Sequence, residues 1–340
     1  MTDVEQFIAG LPKAELHVHL LGSASVPTVL DLARRHPGRG VPTDEEGLRR
    51  FYRFTDFAHF IEVYIAVNTL VRTAEDVFRL AVGVAADLAH QRVRYAELTV
   101  TPDSHLAMGI PPDALAEALT RARDSVAAEH GIELGWVFDI PGELGLESGL
   151  RTIDWAERWG PPGTVGFGLG GPEVGVPRPQ FAGVFARARA LGLASVPHAG
   201  ETTGPETIWD AIRHLGASRI GHGIAAVDDP ALVEHLVVNG ITLEVCPTSN
   251  LRTRAVDALE DHPLRRLLDA GVAVTLNSDD PGMFGTTLNH EYRIAHDILA
   301  VPVEGLIDLA RRSVSASFAP PATKRAVLDE IDAYVTDRLR

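Results

Sequence analysis

The chain has 340 residues, of which 45% are hydrophobic and 23% are charged, and its formal net charge is −15. This composition suits a large buried core, and the negative charge argues against general binding to nucleic-acid phosphates or anionic lipid. Cys246 is the only cysteine, which excludes an internal disulfide and a cysteine-based zinc site. With no long apolar run near the N-terminus, these features predict a globular, cytoplasmic protein without a nucleic-acid or membrane partner.

Short apolar runs rich in β-branched residues alternate with longer segments whose apolar residues recur at helical spacing, such as 113–130 and 179–192. Strand and helix alternating eight times predict an α/β fold of the (β/α)8 TIM barrel type. No low-complexity tract and no linker rich in Pro, Gly and Ser divides the chain. The eight predicted strands cover residues 14–20, 93–100, 132–140, 164–171, 193–200, 219–224, 241–247 and 272–280.

Two segments exceed what a minimal barrel needs. Residues 21–92 predict a helical insertion after the first strand, which would lie over the active site or form a purely structural helical pair. Residues 286–340 predict further helices, broken at the Ala-Pro-Pro-Ala-Thr run of 319–323. The expected organisation is a single barrel domain over residues 1–340. Four phenylalanines recur every three residues in the insertion, as a core stripe or as a pocket wall: Phe51, Phe54, Phe57 and Phe60.

Polar residues collect where the predicted strands end, which is the active-site face of a parallel barrel. His17 and His19 lie two apart on the first strand, so their imidazoles point the same way. Further polar residues end later strands: His198 on the fifth, His222 on the sixth, and Asp279 and Asp280 on the eighth. One histidine at a strand end is usually an ordinary polar residue. Several histidines at one end of a barrel, together with a carboxylate and no thiolate, suit zinc or a similar divalent ion that keeps one position for water.

The motifs AELHVHLLGS, HAGE, RIGHG, CPTSN and SDDPGMF, in this order, resemble those of the adenosine deaminase family of the amidohydrolase superfamily. The resemblance implies one zinc ion (Zn²⁺) per chain, and its ligands would be His17, His19, His198 and Asp279. It implies that Glu201 donates a proton to purine N1 and that His222 orients and activates the attacking water. It also implies that Asp280 meets purine N7 and that the Gly171 backbone meets purine N3. The implied partner is a small-molecule 6-aminopurine nucleoside.

The implied chemistry is consistent with these residue types. Replacement of an aromatic 6-amino group by oxygen needs a strong nucleophile at neutral pH, and zinc lowers the pKa of bound water to about 7. The reaction also needs an electron-poor ring carbon, and protonation of N1 by Glu201 provides it. Because Glu201 must carry its proton beforehand, its pKa should be raised. A protonated Asp280 would donate a hydrogen bond to the ring. The only lysines, Lys13 and Lys324, lie away from the strand ends, which favours one metal over a pair bridged by carbamylated lysine.

Two positions depart from the pattern of adenosine deaminases. Leu21 stands where the H-x-H-L-D-G motif places an Asp associated with the ribose 5′-hydroxyl, and where adenine deaminases tend to carry Glu. Thr99 stands where an E-x-R pattern places Arg. A hydroxyl buried against Leu21 would lose about 1–3 kcal/mol, so we expect Leu21 to face an apolar 5′ substituent.

Within the resemblance, 6-aminodeoxyfutalosine, a menaquinone-pathway nucleoside with an aromatic acid at its 5′ end, fits these departures best. Adenosine, other 5′-substituted adenosines and free adenine follow as substrates. A catalytically silent nucleoside-binding protein would be expected to lack a metal ligand or the proton donor. All of them are present in this sequence, which argues against that alternative.

Overall fold

The computed structural model describes residues 3–338. Eight parallel strands lie side by side in sequence order, and all eight predicted strands are present with ends shifted by a few residues. The strands are β1 (Lys13–His19), β2 (Val93–Val100), β3 (Glu133–Pro141), β4 (Thr164–Gly170), β5 (Ala194–Ala199), β6 (Arg219–His222), β7 (Thr242–Val245) and β8 (Val274–Leu276). The later strands, β5 to β8, end earlier than predicted.

A parallel bridge between Val18 and Asp279 joins the two ends of the sheet. The His19 N–H donates to the Asp279 carbonyl at 2.9 Å, and the Asp279 N–H donates to the His17 carbonyl at 3.0 Å. This seam brings β1 and the residues after β8 together, so the sheet forms a nearly closed barrel with flanking helices. The fold class predicted from strand and helix alternation, a (β/α)8 TIM barrel, is confirmed.

The strands are buried on both faces, as is usual for parallel sheets covered by helices. Every residue of β1 is buried, including Lys13 at its first position. The Lys13 amine donates to the carbonyls of Ile8 and Leu11 at 2.8 and 2.6 Å. This lysine is therefore engaged at the N-terminal end of β1, at the opposite end of the strand from His17 and His19.

A buried ion network crosses the barrel interior. The Arg219 guanidinium on β6 donates to Glu97 on β2 and to Glu244 on β7, and it also bonds the Ala316 carbonyl. A buried cation is tolerated when carboxylates pair with it and take its hydrogen bonds. The network holds Glu244 in place, and the second oxygen of this carboxylate reaches the candidate site.

Helices lie between and after the strands, and local sequence signals set their ends. Thr73 and Asp76 form a capping box at the start of the helix before β2. Gly131 adopts a φ of 63° at the end of the helix before β3, a conformation that suits glycine. The α-helices of the described residues are α1 (Asp3–Gly10), α2 (Val26–Arg35), α3 (Glu45–Phe51), α4 (Phe57–Asn68), α5 (Ala74–His90), α6 (Pro102–Ala107), α7 (Pro112–His130), α8 (Gly145–Trp159), α9 (Ala182–Ala190), α10 (Pro205–Asp210), α11 (Pro230–Asn239), α12 (Pro247–Arg252), α13 (Leu264–Asp269), α14 (Pro281–Phe284), α15 (Leu288–Asp297), α16 (Val303–Ala316) and α17 (Pro321–Arg338).

The segment 21–92 contains α2 to α5. Of these, α5 packs against β2 and α7 and so contributes to the barrel wall. Phe60 of α4 packs on Phe284 with ring centroids 4.9 Å apart, and Phe54 packs on the same ring at 5.9 Å. These contacts fix α4 next to α14, the short helix that follows β8.

The C-terminal segment contains α15 to α17, and the predicted break falls between α16 and α17. Helix α16 packs against β1 and β8 beside the seam. Residues 1–2 and 339–340, which the domain prediction included, lie outside the described part. None of the helices in residues 3–338 combines the length and apolarity needed to cross a membrane.

Candidate active site

Three histidines and an aspartate, from β1, β5 and the loop after β8, meet at the C-terminal end of the barrel: His17, His19, His198 and Asp279. Nε2 of His17 and Nε2 of His19 lie 3.4 and 3.3 Å from Asp279 Oδ1. The Nε2 atoms of His19 and His198 are 3.2 Å apart. His222 joins the group, with Nε2 3.8 Å from Asp279 Oδ2. Residues distant in sequence thus form one buried cluster with the donor types of a metal site.

Hydrogen bonds outside the cluster determine which ring nitrogens face into it. Glu244 Oε2 lies 2.9 Å from His17 Nδ1, and the Leu169 carbonyl lies 2.9 Å from His198 Nδ1. Both Nδ1 atoms therefore donate a hydrogen bond outward, and both Nε2 atoms face into the cluster, where they can bind a metal ion. His17 Nε2 is buried, and no hydrogen bond reaches it in the described chain. A divalent ion would satisfy this atom, so the residues fit a metal.

The electrostatics of the cluster also suit a cation. Burial lowers the pKa of His19 to about 4 and that of His222 to about 3, and it lowers the pKa of His198 well below its usual value. Neutral imidazole is the form that binds metals. At His17, burial also lowers the pKa, but the neighbouring Asp279 and Glu244 carboxylates outweigh it and raise the pKa to about 10. The centre of the cluster therefore stabilises positive charge, and a bound ion would replace the proton that these carboxylates favour on His17 Nε2.

Two residues of the cluster have left-handed backbone conformations, with φ of 60° at His222 and 63° at Asp279. Such conformations cost about 1–3 kcal/mol for residues other than glycine and persist where the surroundings hold them. Helix α12 supplies that support. The Ser249 hydroxyl donates to Asp279 Oδ2 at 2.6 Å, and the Asn250 amide nitrogen lies 3.2 Å from His222 Nδ1.

Glu201 lies beside the metal-suited cluster. Its Oε2 is 3.6 Å from His222 Nε2, and its Oε1 accepts a hydrogen bond from the Thr253 hydroxyl at 3.0 Å. Burial raises the pKa of Glu201 to about 8, the charges of Asp279 and Glu173 add to this, and the Thr253 hydrogen bond opposes it. A carboxyl that keeps its proton near neutral pH can act as a general acid.

A cavity opens over the cluster and Glu201, and it includes about 770 Å³ of space outside protein atoms, counting its opening to solvent. Helix α4 forms an apolar wall with Phe57, Phe60, Ile61, Tyr64 and Ile65, and the strand ends form a polar wall. Within the described chain, no lysine or arginine lines this cavity.

A family model described as adenosine deaminase matches residues 12–334. The chain belongs to the adenosine deaminase family. An aminodeoxyfutalosine deaminase of Streptomyces avermitilis is 57% identical to it over 334 residues, covering 98% of this chain and 93% of the relative. One of Streptomyces coelicolor is 55% identical over 334 residues, covering 98% and 86%.

Among solved structures, an adenine deaminase from Arthrobacter aurescens matches with a TM-score of 0.91 at 32% identity, covering 96% of this chain and 99% of that one. The family resemblance inferred from the motifs is confirmed, including its closeness to aminodeoxyfutalosine deaminases.

In this adenosine deaminase family member, Gly171 and Asp280 line the cavity. Gly171 has a φ of 78°, and a Cβ there would lie 2.4 Å from Glu143 Oε2, so the position needs glycine. Asp280 Oδ1 is buried and receives no hydrogen bond from the described residues. Gly22 approaches that carboxylate so closely that a Cβ would lie 1.7 Å from Oδ1.

Leu21, expected to face the 5′ substituent, packs in the hydrophobic core with 3% exposure and is not among the residues that line the cavity. The chain turns directly after β1, where the Ser23 N–H donates to the His19 carbonyl at 3.0 Å. This turn directs Leu21 into the core. Thr99 also lies outside the lining, whereas Thr101, two residues later, borders the cavity.

Leu21→Asp is therefore expected to destabilise the fold by about 3–5 kcal/mol, because it buries an unpaired charge and removes core contacts. Urea unfolding should show this loss, while the volume-conserving control Leu21→Met stays close to wild type. A stable Leu21→Asp protein whose substrate preference moves toward adenosine would return Leu21 to the substrate pocket.

Several residues that shape this family site were not predicted from the sequence. Glu173 Oε2 accepts the backbone N–H groups of Glu201, Thr202 and Thr203 at 3.1, 2.7 and 2.9 Å, which holds the loop after β5. The Arg178 guanidinium bonds the carbonyl of residue 198 at 3.0 and 3.2 Å. These partners are 20 or more residues apart, and no motif links them.

Glu244 is expected to control metal affinity through His17. Glu244→Gln should weaken metal binding about 10- to 100-fold, because a neutral amide orients the imidazole less well and lowers its basicity. The matched control is Glu97→Gln, which removes the other carboxylate on Arg219 but touches no histidine. Competition with a chelator measures both affinities. Equal weakening in the two variants would mean that the network acts only through general stability.

Proposed function

We propose that this chain hydrolytically deaminates a 6-aminopurine nucleoside, with aminodeoxyfutalosine as its substrate and one zinc ion per chain. The ion would be held by His17, His19, His198 and Asp279. The observation that carries the proposal is the position of Glu201, a carboxyl that retains its proton, beside a metal-suited cluster in one cavity. The names of the two Streptomyces relatives support the choice of substrate.

When bound, the ion would supply Lewis acidity that makes water a better nucleophile. Glu201 gives its proton to N1, which withdraws electrons from C6. His222 orients a water whose oxygen bonds to C6, and the C6–N6 bond then breaks. One water proton leaves with N6 as ammonia and the other restores Glu201, so the products are a 6-oxopurine and ammonia.

The purine would be held at three of its edges. Glu201 after β5 meets N1, the Gly171 backbone after β4 meets N3, and Asp280 after β8 meets N7. Because N7 has a lone pair, Asp280 must carry the proton in that hydrogen bond. Asp280 lines the cavity, which supports this contact.

This orientation turns purine N9 toward the ends of β1, β2 and β3. At these ends the Thr101 hydroxyl donates to Asp139 Oδ1 at 2.6 Å, and both residues line the cavity. Such a carboxylate can accept hydrogen bonds from sugar hydroxyls, which free adenine does not have. The pair therefore supports a nucleoside over a free base.

The apolar wall of α4 supports a substrate whose 5′ end carries an aromatic group, because burial of apolar area is favourable at about 25 cal/mol per Å². The lack of lysine and arginine in the described cavity lining argues against a 5′-phosphate. The acid group of aminodeoxyfutalosine would accordingly lie toward the cavity mouth.

The wider organisation belongs to the same proposal. Residues 1–340 would form one barrel domain, with 21–92 reaching over the site through α4 and with 286–340 outside the barrel. A cytoplasmic location is supported by a single cysteine, Cys246, which is buried and unpaired.

The test is ammonia release from aminodeoxyfutalosine, 5′-methylthioadenosine, 5′-deoxyadenosine, adenosine and adenine. The proposal expects the highest kcat/KM for aminodeoxyfutalosine. A wide preference for adenosine would reassign the chain to adenosine deaminase, and a preference for adenine would align it with the Arthrobacter protein. Tight nucleoside binding without ammonia release would indicate a catalytically silent protein.

A further inference from the structure

A chain of buried hydrogen bonds leads from the backbone to His222. The Leu264 N–H donates to His262 Nδ1 at 3.1 Å. His262 Nε2 lies 3.2 Å from Asn250 Oδ1, and the Asn250 amide nitrogen lies 3.2 Å from His222 Nδ1. His262 and Asn250 are both buried, so no bulk water can replace these partners.

The direction of every hydrogen bond in this series follows from the first one, which the Leu264 N–H donates. A backbone N–H can only donate, so His262 Nδ1 accepts and the proton of this neutral imidazole lies on Nε2. The atom of Asn250 that faces Nε2 must then be the carbonyl oxygen. The amide NH₂ therefore faces His222 and donates to Nδ1, which leaves the proton of His222 on Nε2.

We infer that His262 is a positioning residue that, through Asn250, holds His222 as its Nε2–H tautomer. The inference rests on the proposed function for its catalytic meaning. His222 Nε2 faces oxygens of Glu201 and Asp279 at 3.6 and 3.8 Å, which are acceptors for an N–H. In this tautomer His222 donates a hydrogen bond to the attacking oxygen and stabilises the charge that develops there. It offers no Nε2 lone pair to a metal ion or to a proton.

The inference separates His222 from His17 and His198 in the cluster. His17 and His198 donate a hydrogen bond outward from Nδ1 and face into the cluster with Nε2, whereas His222 accepts at Nδ1 and carries its proton on Nε2. The geometry of the cluster alone groups His222 with His17, His198 and Asp279 as possible ligands. The hydrogen-bond chain assigns His222 a different role.

The first test compares His262→Leu with His262→Gln. The leucine variant removes the donor to Asn250 and should lower kcat about 10- to 100-fold with little change in KM or metal content. The glutamine variant should recover part of kcat because its amide can donate to Asn250 Oδ1. His296→Leu is the control, since His296 lies on the outer helix α15 and bonds the Val301 carbonyl. The kcat of this variant should stay at the wild-type value. An unchanged kcat in His262→Leu would overturn the inference.

The second test reads the tautomer directly. Asn250→Asp replaces the amide by a carboxylate, whose two oxygens both accept hydrogen bonds. The His222 proton should then move to Nδ1, and kcat should fall about 100-fold or more. Nitrogen NMR of ¹⁵N-histidine-labelled protein, with His222 assigned by a His222→Gln variant, should report Nε2–H in wild type and Nδ1–H in Asn250→Asp. Nδ1–H in wild type would overturn the inference. This readout needs no turnover, so the inference can fail or stand separately from the deaminase activity.

Discussion

Glu201→Gln should retain the metal and lose about 10²- to 10⁴-fold in kcat, because an amide of the same size cannot protonate purine N1. Thr253 can still donate to the side chain, so the loop should keep its shape. Metal analysis and ammonia release on the purified variant measure the two quantities.

Glu143→Gln is the matched control for this prediction. Glu143 also lines the cavity, but it lies beside Gly171, away from the N1 edge, and its loss should cost less than about tenfold. Turnover by Glu201→Gln near the wild-type rate would remove Glu201 from the mechanism.

Loss of the metal is the other large effect. His17→Ala and Asp279→Ala are each expected to abolish tight binding of a single divalent ion and to lower turnover more than about 10²-fold. Chelation of the wild-type protein should have the same effect, and return of zinc should restore activity.

Asp280→Asn is the control for these metal variants. It alters the neighbouring carboxyl, which faces the cavity, and it should leave the metal content at about one ion per chain. Two ions per chain, or full activity without any metal, would contradict the single-site proposal.

The sequence was sufficient to predict most of the barrel and the metal-suited cluster. Strand and helix alternation predicts the topology, and the two-residue spacing of His17 and His19 directs both imidazoles to one side. The strand ends of a parallel barrel meet at one face, so His198 and Asp279 could be placed beside them.

The sequence was insufficient where a local turn or a distant hydrogen bond decides the outcome. Leu21 follows the metal-site strand, yet a turn of four residues directs it into the core. Glu173, Thr253 and His262 act on residues 28, 52 and 12 positions away, respectively. Their roles depend on which loops meet above the barrel, and no periodicity or motif encodes that proximity.

Asp279 links the stability of the barrel to the integrity of the site. Its backbone joins β1 across the seam, while its side chain faces the imidazoles of His17 and His19. Local opening of the seam would therefore move the Asp279 carboxylate out of the cluster. Opening of the barrel and loss of the complete ligand set would occur together. An ion that binds only the closed form suppresses this opening by mass action. The amide protons of His19 and Asp279 would then exchange with solvent more slowly in the metal-loaded protein. Their exchange rates would therefore report whether the metal site is occupied.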